Sequence, residues 1–359
     1  MSRLLSGRFS GFEAYTPGEQ PSGAEYIKLN TNESPYPPPP GVAAAVSGYE
    51  LSKLNLYPEP DGSRLIAKLA GLYGVDRDNI ILGNGSDELL AFAFLAYGGD
   101  GRGVIFPDIT YGFYPVYAEL YEIPYTQVPL KDDLSVDIED YCGATKNIVI
   151  ANPNAPTGIA LSLRDVEMIV KSNPDNIVLI DEAYVDFGAQ SAIPLIHKYD
   201  NLIVVHTYSK SRSMAGARLA YAIAHAALIE DMNKMKYSFN PYNVNRLTQL
   251  MGEAALDDEG YFEDKRQEII ATRGHTAAGL RAMGFEMTES KANFLFARHP
   301  GVNGRDLYRS LKDRGILVRH WDKPRISNYV RITIGTLEQM DKLLEAVNGI
   351  LRNPLVSDT

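Results

Sequence analysis

Between residues 145 and 224 the apolar positions come in short unbroken runs rather than in alternation: Ile148-Val149-Ile150, Ile177-Val178-Leu179-Ile180, Leu202-Ile203-Val204-Val205 and a run over 219–224. Such β-branched runs suit strands buried on both faces of a mainly parallel sheet. Helix-length connections, including 161–171, predict crossover units and an α/β fold. Ile80-Ile81-Leu82 and Val104-Ile105-Phe106 extend the pattern toward the N-terminus. Ser63 is the predicted N-cap of a helix with apolar Leu65, Ile66, Leu69, Leu72 and Tyr73, closed by Gly74. A second apolar helix is predicted over 89–97.

Beyond about residue 260 the texture changes. A charged helix is predicted over 261–283, then Asn293-Phe294-Leu295-Phe296-Ala297-Arg298, a helix over 306–314, and a break at Gly315. Val330-Arg331-Ile332-Thr333-Ile334 alternates with period two, so it reads as a half-buried strand with Arg331 facing away from the core. Thr336 and Gln339 form a capping box for a last amphipathic helix. The expected organisation is an arm over 1–40, a large domain over 41–258 and a small α+β domain over 259–359. The arm ends in Pro37-Pro38-Pro39-Pro40, which favours polyproline II.

A chain of 359 residues has room for two domains. Its formal net charge of −10 argues against nucleic acid as a partner, because phosphate backbones are bound by basic faces. The single cysteine, Cys142, cannot close an intrachain disulfide, which fits a reducing compartment. The longest apolar run, 89–97, falls short of the ~20 residues that span a bilayer. A cytoplasmic protein without a membrane partner is expected. The six histidines show no metal-ligand spacing, so no metal is expected.

In open α/β sheets ligands sit beyond the carboxyl ends of the strands. The residues at those ends are 152–158, 181–184 and 207–210. Lys210, within Thr207-Tyr208-Ser209-Lys210-Ser211-Arg212, reads either as a covalent amine or as an ordinary loop lysine. Gly83-Asn84-Gly85-Ser86-Asp87-Glu88 reads either as an anion-holding helix start or as a turn capped by Ser86. Aromatics crowd 110–114, where a flat ring could stack or a core could pack. Lys210, Asp181, Tyr184 and an anion pocket of Gly85, Ser86, Asp87, Ser209 and Arg218 together match the needs of pyridoxal phosphate. Its aldehyde needs an amine, its ring nitrogen a carboxylate, its 3′-oxygen a donor, and its phosphate a helix start with a cation.

These motifs, with Leu29-Asn30-Thr31-Asn32-Glu33-Ser34-Pro35-Tyr36-Pro37, Tyr57-Pro58-Glu59, Pro156-Thr157-Gly158, Pro241-Tyr242-Asn243-Val244-Asn245 and Arg331-Ile332-Thr333-Ile334-Gly335-Thr336, run along nearly the whole chain. The sequence resembles the fold-type I aminotransferases that use pyridoxal 5′-phosphate, most closely the histidinol-phosphate aminotransferase family. The resemblance implies a large domain with a mainly parallel seven-stranded sheet between helices, and a homodimer. It implies that Lys210 forms the Schiff base and carries the proton, that Asp181 pairs with the ring nitrogen, and that Tyr184 bonds the 3′-oxygen. Tyr111 would stack on the ring, and Gly85, Ser86, Asp87, Thr207, Ser209 and Arg218 would hold the phosphate with Tyr57 from the partner subunit. Tyr15, Asn32, Arg319 and Arg331 would bind substrate. The implied reaction is a ping-pong transfer between histidinol phosphate and 2-oxoglutarate; threonine-phosphate decarboxylation and aromatic amino-acid transamination are the rival activities, and a non-enzymatic binding module the distant one. One departure stands out: where the superfamily has Asn-Pro-Thr-Gly, this chain has Ala155-Pro156-Thr157-Gly158, so that either Asn154 turns inward instead, which is the expectation preferred, or Tyr184 bonds the 3′-oxygen alone.

Overall fold

The computed structural model describes residues 2–20, 26–46 and 48–352. Residues 21–25 of the expected arm and 353–359 of the expected small domain lie outside the described residues. In chain order the strands are β1 (Ile27–Lys28), β2 (Ile80–Gly83), β3 (Val104–Pro107), β4 (Tyr125–Val128), β5 (Asn147–Ala151), β6 (Val178–Asp181), β7 (Leu202–Thr207), β8 (Ala220–Ala224), β9 (Glu286–Met287), β10 (Phe294–Arg298), β11 (Ile316–Leu317), β12 (Arg319–His320) and β13 (Tyr329–Thr333).

Among the described residues, β2 to β8 form a seven-stranded sheet in the order β2-β8-β7-β6-β5-β3-β4. Pairing is parallel from β7 through β4, and β8 runs antiparallel to both of its neighbours. The unbroken apolar runs have the consequence expected of them: β2, β3, β5, β6, β7 and β8 are buried at every position. Alternate residues feed two cores. Ile148, Ile150, Val178, Ile180 and Val204 meet Leu65 and Leu69 of helix Ser63–Tyr73 and Val166 and Ile169 of helix Leu163–Ser172. Val149, Leu179, Ile203 and Val205 face Leu89, Phe92 and Phe94 of helix Ser86–Tyr97, with Tyr114 and Met232 beside them.

A second sheet, β12-β13-β10-β9, is antiparallel throughout. Its core, with Leu295, Val330 and Ile332, is closed by Ile269 and Leu280 of helix Glu259–Ala282, Leu307 and Leu311 of helix Gly304–Asp313, and Leu343 and Val347 of helix Leu337–Arg352. Thr336 and Gln339 cap that last helix reciprocally, at 2.9 and 3.3 Å. The N-terminal segment joins this unit: β1 pairs in parallel with β11, and Leu29 is buried in the same core.

Two local expectations are corrected, and one strand appears that the sequence did not announce. Gly62, at φ 65°, rather than Ser63 is the N-cap of helix Ser63–Tyr73, and the Glu59 carboxylate accepts the Ser63 N–H at 3.3 Å in place of a hydroxyl cap. The proline run does not stay extended to its end, because Pro40 opens a short helix, Pro40–Ala45, where its missing N–H costs nothing. The edge strand β4 has a polar, largely exposed sequence, Tyr125-Thr126-Gln127-Val128, and carries no apolar run to announce it.

Candidate active site

Two adjoining cavities open where the large sheet meets the second unit. One, about 310 Å³, is lined by Ser86, Asp87, Asp181, Thr207, Ser209 and Arg218 among others; the other, about 270 Å³, by Tyr15, Asn30, Asn32, Arg319, Trp321 and Arg331 among others. They share Thr31, Tyr111, Ala155, Tyr184 and Lys210, so they are halves of one cleft.

Lys210 follows the carboxyl end of β7, at the junction of the halves. Its Nζ donates to the Thr31 carbonyl at 3.3 Å and lies 5.8 Å from the centre of the Tyr184 ring. Asp181, the last residue of β6, is buried; Tyr114 donates its hydroxyl to Oδ2 at 2.9 Å and the Ala183 amide donates to Oδ1 at 3.2 Å. Burial pushes its carboxyl up to about 6, against the pull of those two donors and with Asp87 adding repulsion. Among the described residues no lysine, arginine or histidine forms a salt bridge with it. His206 acts on it only from a distance, being paired with Glu182; a buried carboxylate without a direct ion pair is costly, and it invites a cationic ligand.

The turn before helix Ser86–Tyr97 excludes one of the two readings left open by the sequence, the cap by Ser86. Gly85 is the helix's N-cap at φ 81° and no side chain caps the helix; the Glu88 amide donates to the Gly85 carbonyl at 3.3 Å, which leaves the amides of Ser86 and Asp87 for an anion. A Cβ on Gly85 would collide with the Arg218 guanidinium, which therefore passes directly over the turn. Arg218, itself at φ 55°, pairs with Asp87 at 3.2 Å across the cavity, and Tyr111 donates its hydroxyl to Asp87 at 2.7 Å. Asn243 braces the turn from behind: its Nδ2 donates to Glu88 at 2.5 Å and to the Leu82 carbonyl at 3.3 Å. Thr207 and Ser209 are buried and bonded to each other at the end of β7.

On the other side Arg331 lies between two aromatic rings, its guanidinium carbon 5.3 Å from the centre of Phe294 and 5.2 Å from that of Trp321. It faces away from the apolar core, as the period-two pattern predicts, but into the cleft. Its Nη2 donates to the Asn30 carbonyl at 3.0 Å, whereas its Nε is buried with no acceptor. Burial holds its pKa down, and Arg319 adds to the effect. A guanidinium does not deprotonate in proteins, so the consequence is a site that favours anions. Arg319 also lies on Trp321, at 5.5 Å, and Tyr15 stacks on Phe113 at 4.1 Å.

Asn154 stands elsewhere, and Tyr57, expected from the partner subunit, lies outside the cleft of its own chain. Asn154 is buried, but its Oδ1 accepts from Thr110 at 2.7 Å and its Nδ2 donates to the Ile109 carbonyl at 2.9 Å and Thr157 at 3.1 Å. Its polar atoms are committed to the scaffold, so the expectation that it turns inward is corrected; Ala155 lines the cleft instead. Tyr57 lines neither cavity of its own chain; it is 77% exposed and stacks on Tyr242 at 4.5 Å. Sequence reasoning missed Tyr114, Trp321 and Lys323. Tyr114 stands three residues after Tyr111 in the aromatic stretch and is the one that points under the cleft. Trp321, the only tryptophan, carried no spacing signal.

The residues fit pyridoxal phosphate on three structural grounds: the buried carboxylate without a salt-bridge partner, the uncapped helix start that only glycine allows so close to Arg218, and an amine where the two halves meet. Among the described residues, no group of histidine, cysteine or carboxylate side chains could hold a metal ion, and no helix is long and apolar enough to cross a membrane.

Comparison with known proteins agrees. The family model for aminotransferase class I and II matches residues 24–347. The histidinol-phosphate aminotransferase of Brachyspira hyodysenteriae is 49% identical over 98% of this chain and 100% of its own, and that of Lactococcus lactis is 48% identical over 94% of each. The crystal structure of histidinol-phosphate aminotransferase from Sinorhizobium meliloti in complex with pyridoxal-5′-phosphate has the same fold, with a TM-score of 0.88, 22% identity and 98% of each chain covered. An enzyme of α/β fold type I, with a mainly parallel sheet and pyridoxal 5′-phosphate as its cofactor, this chain belongs to the class I and II aminotransferases, within their histidinol-phosphate aminotransferase family.

Proposed function

We propose that the chain transfers the amino group of L-histidinol phosphate to 2-oxoglutarate, giving imidazole acetol phosphate and L-glutamate, as a step of histidine biosynthesis in the cytoplasm. The names of its relatives support this reading. The observation that carries it is the charge of the substrate half. Lys210, Arg319, Lys323 and Arg331 line it, against a single carboxylate, Asp108, which is already paired with Arg325 at 3.2 Å. A doubly charged phosphate satisfies such a socket better than a carboxylate does, and the planar forks of the two arginines accept either.

When bound, pyridoxal phosphate supplies an aldehyde for the amine and a cationic ring that withdraws electrons from the substrate's α-carbon. Lys210 is the residue that would bond the aldehyde carbon, and its Nζ is the base for the α-proton. Asp181, held by Tyr114, keeps the ring nitrogen protonated. Tyr184 would donate to the 3′-oxygen, and Tyr111 would stack on the ring. The turn at Gly85, Ser86 and Asp87, with Thr207, Ser209 and Arg218, holds the phosphate. Tyr57 of the partner subunit completes that pocket in a homodimer, which gives a use to a phenol standing outside its own cleft. Arg331 and Arg319 hold the substrate phosphate and, in the other half-reaction, the carboxylate of 2-oxoglutarate. Asn32 and Tyr15 border the imidazole. The arm over 1–40 packs on the small domain over 259–359 and on the partner subunit, and the large domain over 41–258 binds the cofactor.

Incubation with histidinol phosphate, threonine phosphate, phenylalanine or histidine, each with 2-oxoglutarate, decides the donor. Glutamate from histidinol phosphate at the highest kcat/KM is expected, with parallel double-reciprocal lines. Carbon dioxide from threonine phosphate would overturn the substrate assignment, and intersecting lines the ping-pong order. Gly85→Ala is expected to weaken cofactor binding roughly ten- to hundred-fold, because it forces a Cβ into φ 81° and displaces Arg218. Absorbance titration of the cofactor-free protein measures this; unchanged affinity would remove the phosphate pocket from that turn.

A further inference from the structure

Tyr184 has to aim its proton at the ring oxygen without the help of the usual asparagine, since Ala155 has no donor and Asn154 faces away. Its hydroxyl meets one side chain from the N-terminal segment. Asn32 is buried at φ 56°, a conformation that asparagine tolerates better than most residues. Its backbone N–H donates to Thr333 Oγ1 at 3.0 Å, and its carbonyl accepts from Asn293 Nδ2 at 3.0 Å. Thr333 Oγ1 in turn donates its only proton to Asn32 Oδ1, also at 3.0 Å. This fixes which way round the carboxamide lies. Asn32 Nδ2 then faces Tyr184 and donates to its hydroxyl at 2.9 Å.

We propose that Asn32, anchored by Thr333, is a positioning residue that makes Tyr184 the directed donor to the cofactor's 3′-oxygen, replacing the second bond that Ala155 cannot supply. The inference rests on the role given to Tyr184 above. A phenol that accepts from an amide cannot also give its proton to that amide, so the proton is left for the cleft. Accepting a hydrogen bond also makes a hydroxyl the stronger donor. The ring itself is held edge-on against Phe294, at 5.1 Å and 87°, so only the hydroxyl proton needed orienting.

The test is the pH midpoint of the visible cofactor band in the reconstituted full-length enzyme. A donor on the 3′-oxygen lowers that midpoint. Tyr184→Phe is expected to raise it by about one pH unit, the equivalent of one hydrogen bond to a charged group. Asn32→Ala is expected to raise it part of the way. Asn32→Asp, which tolerates the same backbone, offers a carboxylate that captures the phenol proton, and is expected to raise it at least as far as Tyr184→Phe. In a Tyr184→Phe background, Asn32→Ala is expected to add nothing, whereas a merely structural role would shift both backgrounds alike. A midpoint that moves in Tyr184→Phe but stays put in both Asn32 variants overturns the relay alone. No movement in Tyr184→Phe overturns the role of Tyr184 and the relay with it. If Asn32→Ala does not fold, Asn32→Asp and Thr333→Val give the same reading, the latter with a midpoint raised as in Asn32→Ala.

Discussion

Lys210→Ala is expected to lower turnover by on the order of 10⁴-fold or more, because one substitution removes both the covalent partner of the cofactor and the base at the α-carbon. The structure gives no substitute for it. Its Nζ stands at the junction of the two cavities, fixed by the Thr31 carbonyl and facing the Tyr184 ring. Arg319, Lys323 and Arg331 line only the substrate half, and Arg218 only the cofactor half. Lys210→Arg keeps the charge but not the chemistry, and is expected to behave like Lys210→Ala. Glutamate formation, together with loss of the visible band of the reconstituted protein, measures both functions. A variant that kept a tenth of the turnover would remove Lys210 from the mechanism.

Asp181→Asn is expected to cost on the order of 10³-fold in turnover, through loss of the fixed charge beside the ring nitrogen. It also has a signature in stability. Burial raises the carboxyl from its ordinary 3.8 to about 6, so its contribution to stability is complete below pH 4 and is lost as pH rises through 6. The loss in the cofactor-free protein amounts to about 3 kcal/mol. A cationic ring beside the carboxylate reverses the effect. The rise in Tm on adding pyridoxal phosphate is therefore expected to be larger at pH 7.5 than at pH 5, and Asp181→Asn should abolish that difference. Equal gains at both pH values in the unaltered protein would contradict the pairing of Asp181 with the cofactor.

The buried sheet was legible in the sequence because its strands are covered on both faces and cannot be built from other residues. Strand β4, open to solvent at the edge, left no such trace. Side chains whose chemistry is obligatory could be named in advance: the amine of Lys210, the carboxylate of Asp181 at a strand end, and the glycine of the helix start. Orientation could not. Asn154 and Asn32 are both asparagines near the cleft, and nothing local distinguishes them. Thr110, Ile109 and Thr157 claim the first, whereas Thr333, some 300 positions away in sequence, turns the second toward Tyr184.

Two kinds of information separate here. Periodicity, turn chemistry and obligatory functional groups are local properties, and they settled the fold class, gave the buried strands in order and named the residues proposed to carry an amino-transfer reaction. Hydrogen-bond satisfaction in a buried site depends on partners brought together from distant segments. Tertiary structure alone therefore decided that Asn154 is scaffold, that Tyr114 holds Asp181, that Trp321 lies against two arginines, and that Asn32 donates to the Tyr184 hydroxyl.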